Sequence, residues 1–319
     1  MCIRDSILAG AGSGKTTVLI NRIANILRYG DAYNSTYLRD DLDENDIAAC
    51  KAYIENGTPL TTESQEHLSV SACAPWRIMA ITFTNKAAGE LKDRLCAMLG
   101  ETANDIWAST FHSTCARILR RDGERIGYSS HFTVYDTDDQ RRLMKNILKE
   151  LDISEKNITP KSILNEISRA KDSLISPAEY ALTVGDDFRL KIISRAYTTY
   201  QKRLEDADAM DFDDLINKVV ELFKKCPDVL EYYQNRFRYL MVDEYQDTNH
   251  AQYTFVRMLA EKSGNLCVVG DDDQSIYKFR GATIENILSF ENTFQNATVI
   301  RLEQNYRSTQ TVSYTHLRA

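Results

Sequence analysis

Lys15 and Thr16 close the run Ala9-Gly10-Ala11-Gly12-Ser13-Gly14-Lys15-Thr16, and small residues ahead of a lysine and a hydroxyl are what an anion cradle needs. With no bulky side chains in the way, backbone N–H groups converge on a phosphate, and the positive end of a following helix adds to them. Lys15 then reaches the β- and γ-phosphates, the Thr16 hydroxyl takes one Mg²⁺ position, and Thr17 completes the expected nucleotide-binding set. The regular pattern has Gly where Ala9 stands, a single departure. Far downstream, Asp243 and Glu244 follow the apolar run Tyr239-Leu240-Met241-Val242. A buried strand ending in two carboxylates supplies the other half of such a site: Asp243 holds Mg²⁺ through water and Glu244 polarises the attacking water. An acidic pair after a strand is common in loops; the phosphate loop is what gives this one meaning. Gln274, past the apolar run 266–269, is placed to touch the γ-phosphate. Arg307 suits charge stabilisation on a transferring phosphoryl group, the plain alternative being a surface ion pair. The expected cofactors are ATP and Mg²⁺.

The elements that hold these groups read as strands feeding helices. A short apolar strand, Ile7-Leu8, enters the phosphate loop, and Val18, Leu19, Ile23, Ile26 and Leu27 mark a helix ending near Tyr29-Gly30. Further strands are expected at 76–83, 106–109, 239–242, 266–269 and 298–302, with a helix over 87–99. Where the second strand passes into its helix, Phe83, Thr84, Asn85 and Lys86 suit contact with a sugar-phosphate chain and a base, although Phe83 alone reads as core. The third strand leads into Thr110-Phe111-His112-Ser113, where a lone His112 reads as a hydrogen-bonded structural residue. From 115 to 195 the pattern is helical, with segments at 138–151, 160–171 and 188–205 and start signals at Thr159-Pro160 and Ser176-Pro177. Its basic residues, among them Arg141, Arg142, Lys145, Lys149, Lys161, Arg169 and Lys171, form either a solvated face or a phosphate track. The acidic residues of Met210-Asp211-Phe212-Asp213-Asp214-Leu215 read as helix N-terminal caps. Tyr277 and Phe279 stack on bases or pack in the core.

The 319 residues carry a net charge of −7, which at first argues against a nucleic-acid partner. Nine acidic and two basic residues fall within 31–67, however, and the remainder balances at 37 of each sign. A neutral remainder can carry a local basic face. The segment 31–75 reads as an acidic surface insertion. No apolar run is long enough to span a bilayer, and seven scattered cysteines without a C-x-x-C pair suit reduced thiols in a cytoplasmic protein.

Taken in order, the stretches 9–16, 82–86, 110–113, 211–215, 242–249, 269–282 and 302–310 resemble the motifs of superfamily 1 DNA helicases of the UvrD/PcrA/Rep type. The resemblance implies an α/β fold: a RecA-like P-loop NTPase domain with a parallel sheet and an inserted helical subdomain. Its parts are expected at 1–114 and 196–298, with the helical subdomain at 115–195 and a truncated second motor domain beginning at 299–319. It implies an ATP-driven motor stepping 3′ to 5′ along single-stranded DNA, in repair or replication, at single-strand/double-strand junctions and away from membranes. It gives γ-phosphate contacts to Gln274 and Arg307 and adenine stacking to Tyr306. Phe83, Tyr277 and Phe279 resemble base-contacting aromatics, and Thr110, Phe111, His112 and Arg280 join the DNA-binding set. The glutamine-containing stretch that opens the family pattern is missing, and residues 1–6 and 312–319 do not fit it. The chain therefore reads as partial. Two alternatives stay open: a half-motor that binds ATP and DNA without turnover, and a P-loop nucleotide enzyme that does not act on DNA.

Overall fold

The computed structural model describes residues 4–10, 13–32, 35–37, 40–154, 158–271, 290 and 297–302. In chain order its strands are β1 (Arg4–Ala9), β2 (Ile78–Thr82), β3 (Trp107–Thr110), β4 (Thr133–Val134), β5 (Ala209–Met210), β6 (Tyr239–Val242), β7 (Leu266–Gly270) and β8 (Thr298–Leu302). The helices of the first half are α1 (Lys15–Tyr29), α2 (Glu44–Asn56), α3 (Thr62–His67), α4 (Asn85–Leu99), α5 (Phe111–Asp122) and α6 (Thr137–Glu150). Those of the second half are α7 (Pro160–Asp172), α8 (Pro177–Thr183), α9 (Phe188–Asp206), α10 (Phe212–Lys225), α11 (Pro227–Arg236) and α12 (His250–Ala260).

Six strands form one sheet in the order β3-β2-β6-β7-β1-β8, with every pairing parallel. The strands β2, β6 and β7 are buried along their whole length, which is why each reads as an unbroken apolar run. Their side chains divide by the two-residue period of a strand. Met79, Ile81, Leu240, Val242, Leu266 and Val268 pack under α5, α10, α11 and α12. Ile78, Ala80, Tyr239, Met241, Cys267 and Val269 face the other way, against α1 and α4. This is the α/β arrangement the sequence implied.

Three boundaries differ from the sequence reading. Strand β1 runs from Arg4 rather than Ile7, because it pairs with β7 on one side and β8 on the other. Its first half carries Asp5 and Ser6, both buried, so apolar content did not reveal it. Strand β8 was expected to open a second motor domain, yet it aligns with β1, Ile300 beside Ile7, and extends the first sheet. The helical unit is expected from residue 115, but Cys115, Ile118 and Leu119 join Phe111 of α5 in the core beneath the sheet. The separate helical core is built from α6, α7 and α9 around Met144, Ile147, Ile163, Ile167, Ile193, Tyr197 and Tyr200. Asp136, Thr159 and Ser176 cap its helices, each accepting from backbone N–H groups of the first turn. The parallel pair β4–β5 clips the two ends of this excursion together.

The acidic segment also leaves and returns at one place. Gly30 and Val70 form a bridge, with the Asp31 N–H donating to the Val70 carbonyl at 2.8 Å. Gly30 sits at φ +59°, and a β-carbon there would stand 2.2 Å from the Val70 oxygen. Within the segment, α2 buries Asp46 alone and leaves Ile47, Tyr53 and Ile54 exposed. Among the described residues no helix is long and apolar enough to cross a membrane, and the six described cysteines are unpaired.

Candidate active site and nucleic-acid interface

In a parallel sheet the strands all end on one side, and that side gathers the groups singled out above. Register fixes their order along the edge: Thr110 lies beside Thr82, Ile81 beside Val242, Val242 beside Val268 and Leu8 beside Gly270. The phosphate loop, the acidic pair and the two strand-to-helix corners at 82–86 and 110–113 are therefore neighbours. Folding brings together what the sequence separates by more than 200 residues.

The loop after β1 tightens through Ser13, whose N–H and Oγ both donate to the Gly10 carbonyl at 3.2 and 2.6 Å. Gly14 then takes φ +88°, a left-handed conformation that strains any other residue, and α1 starts at Lys15. No side chain caps this helix and no acid sits in its first turn, so no carboxylate of its own meets its N-terminal N–H groups. Open space lies where β-carbons on Gly10 and Gly14 would point. Thr16 is half-buried and Thr17 exposed. Ala11 and Gly12 lie outside the described residues, and for Ala9 only its place at the end of β1 is described.

Lys15 carries the positive charge of the site. Its ammonium lies 3.4 Å from Asp271 Oδ2 and 3.6 Å from Glu244 Oε2. Asp243 follows β6 directly, its N–H donating to the Ile81 carbonyl, and its Oδ1 accepts the Glu244 N–H at 3.0 Å. Burial, with the Glu244 charge beside it, pushes the Asp243 carboxyl up to about 6. Glu244 itself adopts φ +51°, uncommon for a residue with a β-carbon, and turns the chain sharply into a single 3-10 turn, Tyr245–Asp247. Asp247 is likewise pushed up to about 6 by burial and by Glu244.

Two participants were not assigned from sequence, Asp271 and Gln246. The buried Gln246 donates from Nε2 to Glu244 Oε2 at 2.9 Å, and its Oε1 accepts the Asp271 N–H at 2.9 Å. One amide thus fixes the Glu244 carboxylate to the end of the next strand. The signal for Asp271 was present: it follows an apolar run, as Asp243 does, with Gly270 between.

At the neighbouring corners, Thr84 and Thr110 cap α4 and α5, accepting the N–H groups of Ala87 and Ser113. Thr84, Asn85 and Lys86 are exposed and Phe83 is half-buried, its ring edge-on to Phe111 at 5.4 Å. Phe111 is a correction: it is 1% exposed and wedged between Phe83 and Phe255, so its ring belongs to the core and not to a base. His112 is half-buried, edge-on to Phe212 at 5.5 Å, and burial lowers its pKa, leaving a neutral ring. Gln274, Tyr277, Phe279, Arg280, Tyr306 and Arg307 lie outside the described residues.

A family model described as the UvrD/REP helicase N-terminal domain matches residues 5–38 and 58–295. The chain belongs to the UvrD/REP helicase family. It is 47% identical over 306 residues to a protein named ATP-dependent DNA helicase PcrA from Bacillus subtilis (strain 168), covering 96% of this chain and 36% of that protein. Proteins of the same name from Staphylococcus aureus (strain Mu50) and Leuconostoc citreum are 46% and 45% identical, again over 96% of this chain and 36% and 35% of their own length. This chain therefore spans about a third of the length of these relatives. The unmatched residues 39–57 contain α2, the helix that contributes no apolar residue to the core.

Proposed function

We propose that this chain is the nucleotide-binding part of an ATP-dependent DNA helicase that moves 3′ to 5′ along single-stranded DNA. The observation that carries the reading is the Lys15 ammonium between Glu244 and Asp271, beside an uncapped helix N-terminus, with Glu244 after the strand that pairs with the one leading into the 82–86 corner. An ATP triphosphate laid on α1 would draw the ammonium toward its β- and γ-oxygens, freeing Glu244 to accept a hydrogen bond from the attacking water. Gln246 keeps that carboxylate aimed while the charge redistributes. Phosphoryl transfer needs little more from a protein than this positioning and charge stabilisation.

The donor set fits Mg²⁺. Among the described residues no cluster of three or more His, Cys, Asp or Glu is gathered for a metal, so the ion would draw on Asp243, Thr16, water and phosphate oxygens. When bound it neutralises charge on the phosphates. The strand-stepping polarity, a role in repair or replication in the cytoplasm, and preference for single-strand/double-strand junctions rest on the motif resemblance. Thr84, Asn85 and Lys86 are exposed for the sugar-phosphate chain, and Phe83 offers a ring edge beside them.

The test is ATP hydrolysis with and without single-stranded DNA, beside Lys15→Ala and Glu244→Gln. DNA-stimulated turnover lost in both variants is the expected result, with nucleotide binding kept in Glu244→Gln. Turnover indifferent to DNA, in a protein with no affinity for single strands, overturns the reading in favour of a nucleotide enzyme of another kind. Binding of ATP and DNA without turnover by this chain alone assigns hydrolysis to the assembly of the longer protein.

A further inference from the structure

Two consecutive residues at the end of α7, Lys171 and Asp172, touch the N-caps of two different helices under the sheet. Lys171 is 1% exposed, its ammonium 2.7 Å from Asp211 Oδ2 and 2.9 Å from Asp214 Oδ1. Those carboxylates form the capping box that starts α10, and Tyr200 and Gln201 of α9 donate to them at 3.1 and 3.4 Å. Asp172 Oδ1 accepts from Asn249 Nδ2 at 2.5 Å, and Asn249 is the N-cap of α12. A carboxylate in the last position of a helix opposes the helix dipole, so Asp172 gains nothing from α7 itself. Its partner lies across the boundary between the helical core and the sheet.

Asn249 ends the stretch that begins with Asp243 and Glu244. Between them the chain is stiff: Asp247 N–H donates to the Glu244 carbonyl, and the Thr248 N–H and hydroxyl both donate to Tyr245. Gln246 links that turn to Glu244 and Asp271. A shift of Asn249 is therefore carried to the carboxylate that faces the water, through one turn and one amide. On the other side, α7 is anchored in the helical unit, because Ile163, Ile167 and Ala170 are buried in its core.

We propose that Asp172 is a positioning residue that couples the helical unit to hydrolysis, with Lys171 as the hinge pin that keeps the end of α7 seated on α10. This rests on the proposed function, since the load on the helical unit would come from DNA. The exposed basic residues Arg142, Lys145 and Lys149 of α6 lie on that unit.

The experiment measures kcat with saturating single-stranded DNA and without DNA, in the intact protein that carries this chain, for wild type, Asp172→Ala and Asp172→Asn. Asp172→Ala is expected to lower the ratio of stimulated to basal kcat by about 5-fold or more, the lower end of ordinary coupling between sites. Affinity for single-stranded DNA and KM for ATP are expected to stay near wild type. Asp172→Asn keeps an oxygen facing Asn249 and is expected to keep the ratio. A wild-type ratio in Asp172→Ala overturns the proposal, as does an equal loss of basal and stimulated rates, which marks a merely structural contact. If Asp172→Ala does not fold, Asn249→Ser retains a capping oxygen but loses the amide donor. It is then expected to show the same lowered ratio, and an unchanged ratio overturns the coupling. A wild type that DNA does not stimulate overturns the functional reading itself, an outcome distinct from failure of the coupling.

Discussion

Gln246 holds the Glu244 carboxylate and the backbone of Asp271, two groups that the proposed hydrolysis needs still. Gln246→Ala removes the donor to Glu244 Oε2 and an acceptor of the buried Asp271 N–H, a loss of stability of about 1–3 kcal/mol. It should also lower kcat with little change in nucleotide affinity, which steady-state kinetics beside a nucleotide titration would show. The aromatic pair at the corners divides in the same spirit. Phe111→Ala should cost about 3–5 kcal/mol of stability, as for other buried aromatics, read by urea denaturation. Phe83→Ala should instead weaken single-strand binding, by roughly 5- to 150-fold if its ring stacks on one base. What was legible here follows from local chemistry: Lys15, Asp243 and Glu244 stand in short patterns whose function depends on neighbours in sequence. Phe111 was not, because a phenylalanine looks the same whether its ring faces a base or Phe255. Gln246 and Asp271 escaped because their roles arise only when β6 and β7 lie side by side.

The charged cluster at the start of α10 sets the behaviour of the elements around it. Lys171→Met would leave Asp211 and Asp214 buried without their cation, a defect that costs about 3–5 kcal/mol. Thermal melts should show a large fall in Tm, where Lys149→Met on the exposed face of α6 should show almost none. Nearby, burial and the charge of Asp213 push the Asp172 carboxyl up to about 7, so folding favours its protonated form. The stability this gives is complete below the ordinary carboxyl value near 3.8 and is lost as pH rises through about 7. Asp172→Asn should therefore stabilise the protein at pH 8, by something on the order of 2 kcal/mol, and make little difference at pH 4. Chemical denaturation at the two pH values checks the sign. Strands β2, β6 and β7 were readable because both faces are covered, and the helices of the insert because Thr159-Pro160 and Ser176-Pro177 announce their starts. The tie from α7 to α10 and α12 was not, since no local pattern connects Lys171 with a capping box 40 residues away.

For the molecule as a whole, a net charge of −7 coexists with the proposed grip on DNA because the negative excess sits in the acidic excursion. Single-strand affinity should fall as salt rises, with a slope near −0.7 for each phosphate contacted, measured by fluorescence anisotropy over a salt series. A slope near zero would mean that the corners at 82–86 and 110–113 meet no phosphates. The excursion itself begins and ends at the bridge between Gly30 and Val70, beside the end of α1. Such a doorway makes the segment a docking port in the engineer's sense. A fluorescent reporter grafted in place of 39–57 would ride on the body proposed to bind the nucleotide, free to report its movements.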